Sequence, residues 1–91
     1  MIRNIRHKGL VEIFEKGTSK RVDSRFHEKI AVILDDLDQA QKPEDLIGLA
    51  GFHPLKGERL GESAMIVTRN WRITFRFDGL DVTDADYEDY H

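Results

Sequence analysis

The strongest constraint on the fold is the strict alternation in residues 71–77, whose sequence is WRITFRF. Apolar side chains at positions 71, 73, 75 and 77 alternate with Arg72, Thr74 and Arg76. Because successive side chains of a strand point to opposite faces of a sheet, this pattern predicts a strand with one apolar face and one face bearing two arginines. Asp78-Gly79 follows directly and predicts a hairpin, since glycine accepts the positive φ of a tight turn.

Further strands are predicted on both sides of this one. Residues 63–68 read as the preceding strand, with Arg69-Asn70 as the turn, and residues 80–85 read as the strand that follows the hairpin. Residues 2–6 alternate imperfectly between apolar and basic side chains, which predicts a short first strand.

Two helices are predicted between the first strand and the meander. Leu10, Ile13 and Phe14 are spaced as one face of a short helix that Gly17 ends. The second helix has its apolar residues at Phe26, Ile30, Ile33, Leu34 and Leu37, and Pro43 limits its length. The sequence therefore predicts an α+β domain over residues 1–91, in which an N-terminal strand and two helices pack on a curved antiparallel sheet.

Composition excludes several classes of protein. The 91 residues include no cysteine, so disulfides and thiolate zinc sites are excluded. No apolar run approaches the ~18 residues of a membrane helix. Because the first residues also lack the apolar stretch of a signal peptide, we expect a cytoplasmic protein with no membrane partner.

Charge is sorted along the chain although the net charge is only −3. Residues 1–30 and 51–77 have an excess of Lys and Arg, whereas residues 78–91 contain six carboxylates and neither basic residue type. If the fold joins the two basic segments, they form a basic face suited to nucleic acid. The alternative is that mixed charges simply keep a small surface hydrated.

Three groups of side chains could support chemistry. Arg72 and Arg76 share a strand face and could hold phosphate, although charged side chains on a strand are more often only solvated. Residues 53–59, HPLKGER, place an imidazole near two cations, an arrangement that also fits an ordinary polar loop. Asp89, Tyr90 and His91 close the chain with groups that can orient, stack and transfer protons. No HxH or HExxH motif is present, and we predict no metal site.

These segments together resemble the HigB-type toxins of the RelE/ParE toxin–antitoxin superfamily. The similarity rests on HKGL and FEKG at 7–10 and 14–17, HPLKG at 53–57 with Arg59 following, NWRITF at 70–75, and YEDYH at 87–91. The four blocks occur in order over nearly the whole chain. The resemblance implies a RelE-like fold with the N-terminal helices packed on one face of the sheet.

The resemblance also implies an activity and its residues. HigB-type toxins are ribosome-dependent endoribonucleases that cleave mRNA without a metal or other cofactor and so inhibit translation. The matching positions are His53, Asp89, Tyr90 and His91 for catalysis and Lys56 and Arg72 for the RNA phosphate. Arg59 and Arg76 are candidate contacts to RNA or the ribosome, although Arg76 does not map onto the family pattern. The implied partners are the ribosome with its mRNA and a HigA-type helix-turn-helix antitoxin, through which alone the toxin would meet operator DNA.

Two other functions are consistent with the same fold. A gyrase-directed toxin of the ParE type would bind a protein and cleave nothing, but two imidazoles would then have no purpose. A small interaction module or an inactive toxin is the third alternative. The net negative charge departs from what RNA binding favours. Asp81, Asp84 and Asp86 either face away from RNA, weaken ribosome binding, or shape the antitoxin contact.

Overall fold

The computed structural model describes residues 1–89, which form two α-helices and a four-stranded sheet. The helices are α1 (Lys8–Lys16) and α2 (His27–Gln39), and the strands are β1 (His53–Pro54), β2 (Glu62–Ile66), β3 (Trp71–Asp78) and β4 (Asp81–Asp89). Single 3-10 turns occur at Ser24–Phe26, Pro43–Leu46 and Gly57–Arg59. All neighbouring strands are antiparallel, in the order β1-β2-β3-β4. The predicted α+β fold is confirmed.

The two helices bury the apolar stripes that the sequence indicates. His7 caps α1 by accepting a hydrogen bond from the backbone N–H of Gly9, and Gly17 ends the helix with φ of 85°. The buried residues of α2 are Ile30, Ile33, Leu34 and Leu37. Phe26 lies in the preceding 3-10 turn rather than in α2 itself. These side chains pack on the buried face of the sheet around Ile73 and Phe75.

The N-terminal segment forms less of a strand than predicted. Ile2 and Ile5 make isolated parallel bridges to Val82 and Ala85 of β4. The N–H of Arg3 donates to the carbonyl of Val82 at 2.8 Å, but no continuous ladder follows. The reason lies in β4, which is irregular between the two bridged residues.

That irregularity is a β-bulge at Asp84. Thr74 pairs with Asp86 whereas Arg76 pairs with Thr83, so the single residue Phe75 faces two residues of β4. Asp84 adopts a φ of 56°, the left-handed region that few residues other than glycine, asparagine and aspartate accept. The extra residue reverses the alternation of β4, which then continues to Asp89, four residues past its predicted end.

Candidate active site

Three strands present charged side chains on the sheet face opposite the helices. Glu62 of β2 is the cross-strand partner of Arg76, and Arg72 is the partner of Glu88 on β4. Cross-strand partners point to the same side of a sheet, so these four side chains share one face, here called the arginine face. The prediction that Arg72 and Arg76 share a face is confirmed.

Arg59 joins the arginine face from the 3-10 turn that precedes β2. Its guanidinium contacts Glu62 at two points, 3.0 Å from Nε to Oε2 and 2.9 Å from Nη2 to Oε1. Its Nη1 donates to Oε1 of Glu88 at 2.6 Å, and Nε of Arg72 donates to the same oxygen at 2.8 Å. Arg76 lies 3.6 Å from Glu62. Three guanidinium groups thus share two carboxylates, which leaves the cluster with an excess of positive charge.

Arg72 and Arg76 are four residues apart on β3. Thr74 lies between them, and four residues of a strand span about 13 Å. Each arginine is held by a different carboxylate, Arg72 by Glu88 and Arg76 by Glu62. Phosphate binding by these two arginines stays a prediction.

Hydrogen bonding keeps the groups of the cluster charged. The bond to Glu62, followed by the bond to Glu88, raises the pKa of Arg59. The bond from Arg59 lowers the pKa of Glu62. Partial burial acts to raise the pKa of Glu88, but the hydrogen bonds from Arg59 and Arg72 outweigh it and the pKa is lowered. Both carboxylates are therefore ionised at neutral pH.

His53 belongs to the same face of the sheet. It pairs with Ala64, which in turn pairs with Thr74, so its side chain points to the side of Arg72 rather than to the core. Its Nδ1 lies 2.9 Å from the carbonyl oxygen of Gly51. A carbonyl only accepts hydrogen bonds, so Nδ1 bears the proton and Nε2 of the neutral ring has a lone pair. The contact with Gly51 therefore defines the tautomer of the neutral ring and its orientation.

Lys56 lies in the loop between β1 and the Gly57–Arg59 turn. Its side chain is exposed, and within residues 1–89 it makes no ion pair. The loop starts from a fixed point, because the N–H of Leu55 donates to the carbonyl of Glu62 at 2.9 Å. Lys56 is thus an exposed cation in the loop that leads from β1 to Arg59, with no ion-pair partner among the described residues.

Of the three predicted catalytic residues at the end of the chain, the structure describes only Asp89. Asp89 is the cross-strand partner of Trp71, so its side chain is on the opposite face of the sheet from Arg72. Tyr90 and His91 lie outside the described residues. Within residues 1–89, no three His, Asp or Glu side chains are arranged to hold a metal ion.

Comparison with known proteins decides the family. The model of the HigB-like toxins, described as RelE-like toxins of the type II toxin–antitoxin system HigB, matches residues 3–91. The chain belongs to the HigB-like toxin family. It is 40% identical to the Endoribonuclease HigB of Proteus vulgaris, and the alignment covers 100% of both proteins. A YoeB/ParE toxin from Agrobacterium tumefaciens shares the fold, with a TM-score of 0.64, 21% identity and full coverage of both chains.

These findings confirm the predicted family and the toxin function. The predicted endoribonuclease agrees with the activity named for the Proteus relative, and nothing favours the gyrase-directed alternative. A type II toxin has an antitoxin partner by definition of the system. None of the helices in residues 1–89 has the length and apolar character needed to cross a membrane.

The acidic residues of this HigB-like toxin divide between two places. Asp81 and Asp84 lie near Arg3 and Arg6 of the N-terminal segment, at 3.9 Å and 3.7 Å, along the outer edge of β4. Asp86 lies on the arginine face by register with Thr74, and its Oδ1 accepts from a backbone N–H. The N-terminal arginines therefore balance part of the negative charge of Asp81 and Asp84.

Sequence reasoning missed the two glutamates of the cluster. Glu62 and Glu88 were not singled out as site residues, yet they hold three arginines between them. The sequence does contain a signal for the pairing of Glu62 with Arg59, because the two residues are only three positions apart at the start of β2. No sequence signal pairs Glu88 with Arg72, since that pairing depends on the bulge at Asp84.

Proposed function

We propose that this toxin cleaves mRNA on the ribosome by acid–base chemistry on the arginine face. The observation that supports this most strongly is the position of His53, which shares a sheet face with Arg72 and has its Nδ1 bonded to the Gly51 carbonyl. The imidazole is thereby oriented, and a phosphate held by Arg72 would lie on the same side of the sheet.

The reaction is attack of the RNA 2′-hydroxyl on the adjacent phosphorus, with loss of the 5′-oxygen of the next nucleotide. It needs a base for the hydroxyl proton, an acid for the leaving oxygen, and cations for the charge that develops on phosphate. His53 and His91 share the acid and base roles. Neutral His53 accepts a proton at Nε2, and protonated His53 donates one from the same atom.

The remaining predicted residues hold and orient the RNA. Lys56 and Arg72 bind the scissile phosphate, as an exposed ammonium and an oriented guanidinium respectively. Tyr90 stacks on a substrate nucleotide. Asp89, whose side chain starts from the opposite face at the end of β4, orients an imidazole or takes part in proton transfer at that end of the sheet. Arg59 and Arg76 add positive potential to the same face, which attracts the RNA backbone.

The partners follow from the same proposal. The antitoxin is of the HigA type, with a helix-turn-helix domain, and the toxin reaches operator DNA only through it. The toxin acts in the cytoplasm, where translating ribosomes are found.

Cleavage of mRNA on purified translating ribosomes tests the proposal. The wild type should cleave, and His53→Ala and His91→Ala should each lose about 10²- to 10⁴-fold in rate, the usual contribution of a positioned proton donor or acceptor. His27→Gln is the control, because His27 lies at the start of α2 and bonds to the Val22 carbonyl, on the helix side of the molecule.

Three results would contradict the proposal in different ways. Equal cleavage by wild type and His53→Ala would remove His53 from the mechanism. Efficient digestion of naked RNA would contradict ribosome dependence. Absence of cleavage combined with inhibited DNA supercoiling would identify a gyrase-directed toxin.

A further inference from the structure

Glu88 occupies the point on the arginine face where two arginines meet. Its Oε1 accepts hydrogen bonds from Arg72 Nε at 2.8 Å and from Arg59 Nη1 at 2.6 Å, and Arg72 Nη2 lies 2.7 Å away. Three charged N–H groups thus converge on a single carboxylate oxygen. The side chain of Arg72 is only 14% exposed and that of Glu88 26%, so water screens these contacts less than it would an ordinary surface pair.

We infer that Glu88 is a positioning residue for RNA cleavage, which fixes the guanidinium of Arg72 in the orientation that binds the scissile phosphate. The inference rests on the proposed function, in which Arg72 is a phosphate ligand. Glu88 itself touches neither RNA nor the reacting atoms in this account.

The geometry explains how one carboxylate can do this. A guanidinium is a planar fork, so contacts from Nε and Nη2 to one partner determine the plane and direction of the whole group. Arg72 and Glu88 are direct cross-strand partners on regular strand segments, which ties that direction to the backbone of the sheet. A guanidinium already held in this direction can stabilise the charge that develops on the phosphate in the transition state without first turning toward it.

Arg59 and Glu62 make the arrangement rigid. Arg59 holds Glu88 from the other side while its own guanidinium is fixed by two contacts to Glu62. Glu88 is therefore held between two arginines and cannot turn toward either one alone. The alternative is that Glu88 takes the place of a phosphate and must be displaced before RNA can bind, which would make it inhibitory.

Glu88→Gln distinguishes these possibilities, because it removes the charge and keeps the shape. Positioning predicts a fall in kcat for ribosome-bound mRNA of about 10- to 100-fold, with the KM for the programmed ribosome nearly unchanged, as is usual when a group is displaced from reacting geometry. Glu28→Gln, an exposed glutamate on α2, is the control and should retain wild-type kinetics. Unchanged kinetics in Glu88→Gln, or a lower KM with higher kcat, would overturn the inference, and the second result would show inhibition.

A double-mutant comparison tests whether Glu88 acts through Arg72. Glu88→Ala should reduce cleavage in the wild-type background but have no further effect in Arg72→Ala, where there is no guanidinium left to orient. Equal fold-losses in both backgrounds would show that Glu88 acts independently and would overturn the inference.

The NMR signal of the Arg72 Nε–H gives a measurement that does not depend on activity. In the wild type this proton should exchange slowly with water and shift on replacement of Glu88 by Gln or Asp. Fast exchange in the wild type would overturn the inference even if Glu88→Gln failed to fold. A protected Nε–H in a toxin that cleaves no mRNA would show that the proposed function had failed while the Arg72–Glu88 contact itself was correct.

Discussion

Asn4 and Asp84 exchange two hydrogen bonds at the edge of the sheet. Nδ2 of Asn4 donates to Oδ1 of Asp84 at 3.1 Å, and the backbone N–H of Asp84 donates to Oδ1 of Asn4 at 3.0 Å. Asp84 is the bulged residue of β4 with a positive φ. The N-terminal segment thus supports the one irregularity that decides which side chains of the following strand reach the arginine face.

The effect of substitutions at Asp84 on stability should depend on how well each residue accepts the positive φ of this position. Asp84→Asn should be nearly neutral, since asparagine accepts positive φ and retains the oxygen that pairs with Asn4. Asp84→Ala should cost about 1–2 kcal/mol through the lost hydrogen bond and the strain at φ of 56°. Asp84→Val should cost about 2–3 kcal/mol because a β-branched residue is more strained there. Urea unfolding measures the series, and a valine variant as stable as the wild type would show that the bulge is not required.

The same bulge marks the limit of what the sequence predicts. The alternation of residues 71–77 and the Asp78-Gly79 turn were sufficient to predict β3, its hairpin and the shared face of Arg72 and Arg76. If β3 and β4 paired regularly from the hairpin onward, Tyr87 would be the cross-strand partner of Arg72. In the structure that partner is Glu88. A register shift of one residue moves every following side chain to the other face of the sheet. No local sequence pattern near Asp84 predicts the bulge that causes this shift.

The helices were easier to predict than the N-terminal strand for a related reason. Apolar side chains at helical spacing on α2 depend only on local periodicity, and four of the five named residues are buried. Residues 2–6 have the composition of a strand, but their pairing depends on the shape of β4, which is distant in sequence. The sequence shows His53 and two nearby cations as a candidate group. The placement of His53 on the arginine face, however, depends on the pairing of β1 with β2.

The ion pairs of the arginine face should make stability depend on pH in the acid range. The pKa values of Glu62 and Glu88 are lowered in the folded protein from an ordinary value of 4.5. Their contribution is therefore complete above about pH 4.5 and is lost as the pH falls through the lowered folded pKa values. The double variant Glu62→Gln, Glu88→Gln should lose about 1–2 kcal/mol at pH 7 and show a weaker decline below pH 4.5.

Equilibrium unfolding between pH 2 and 6 measures this difference. The matched control replaces two exposed glutamates, Glu28 and Glu44, by glutamine, which changes the net charge equally. If the control and the cluster variant weaken the decline of the unfolding free energy below pH 4.5 to the same extent, the specific ion pairs are not its cause. In that case net charge accounts for the pH dependence of stability.

Tyr87 should make the stability of the protein depend on pH in the alkaline range. Its ring stacks on Trp71 at a centroid distance of 4.7 Å, and burial, with a smaller effect of Asp23, raises the pKa of its phenol above 10. The unfolded chain ionises this phenol near pH 10 while the folded protein keeps it neutral, so stability is complete below pH 10 and falls as the pH rises toward the folded pKa. Tyr87→Phe should remove that part of the decline.

Phenolate absorbance and urea unfolding between pH 8 and 11 test this together. The folded wild type should show one phenol that titrates later than it does in concentrated urea, and Tyr87→Phe should lack it. If both phenols of the folded wild type titrate as they do in urea, the ring of Tyr87 is not shielded in the way the structure indicates.

The salt dependence of ribosome affinity should distinguish cations that contact RNA from cations that pair with carboxylates elsewhere on the protein. Lys56→Ala and Arg72→Ala should each reduce the slope of log affinity for programmed ribosomes against log salt by about 0.7–0.9, the value for one lost phosphate contact. Arg3→Ala is the control, since Arg3 forms an ion pair with Asp78 and lies near Asp81 at the far edge of β4. Its removal should leave the slope unchanged, because it neutralises carboxylates rather than phosphates. Equal reductions by all three variants would show that binding senses only total charge and that the arginine face is not the RNA surface.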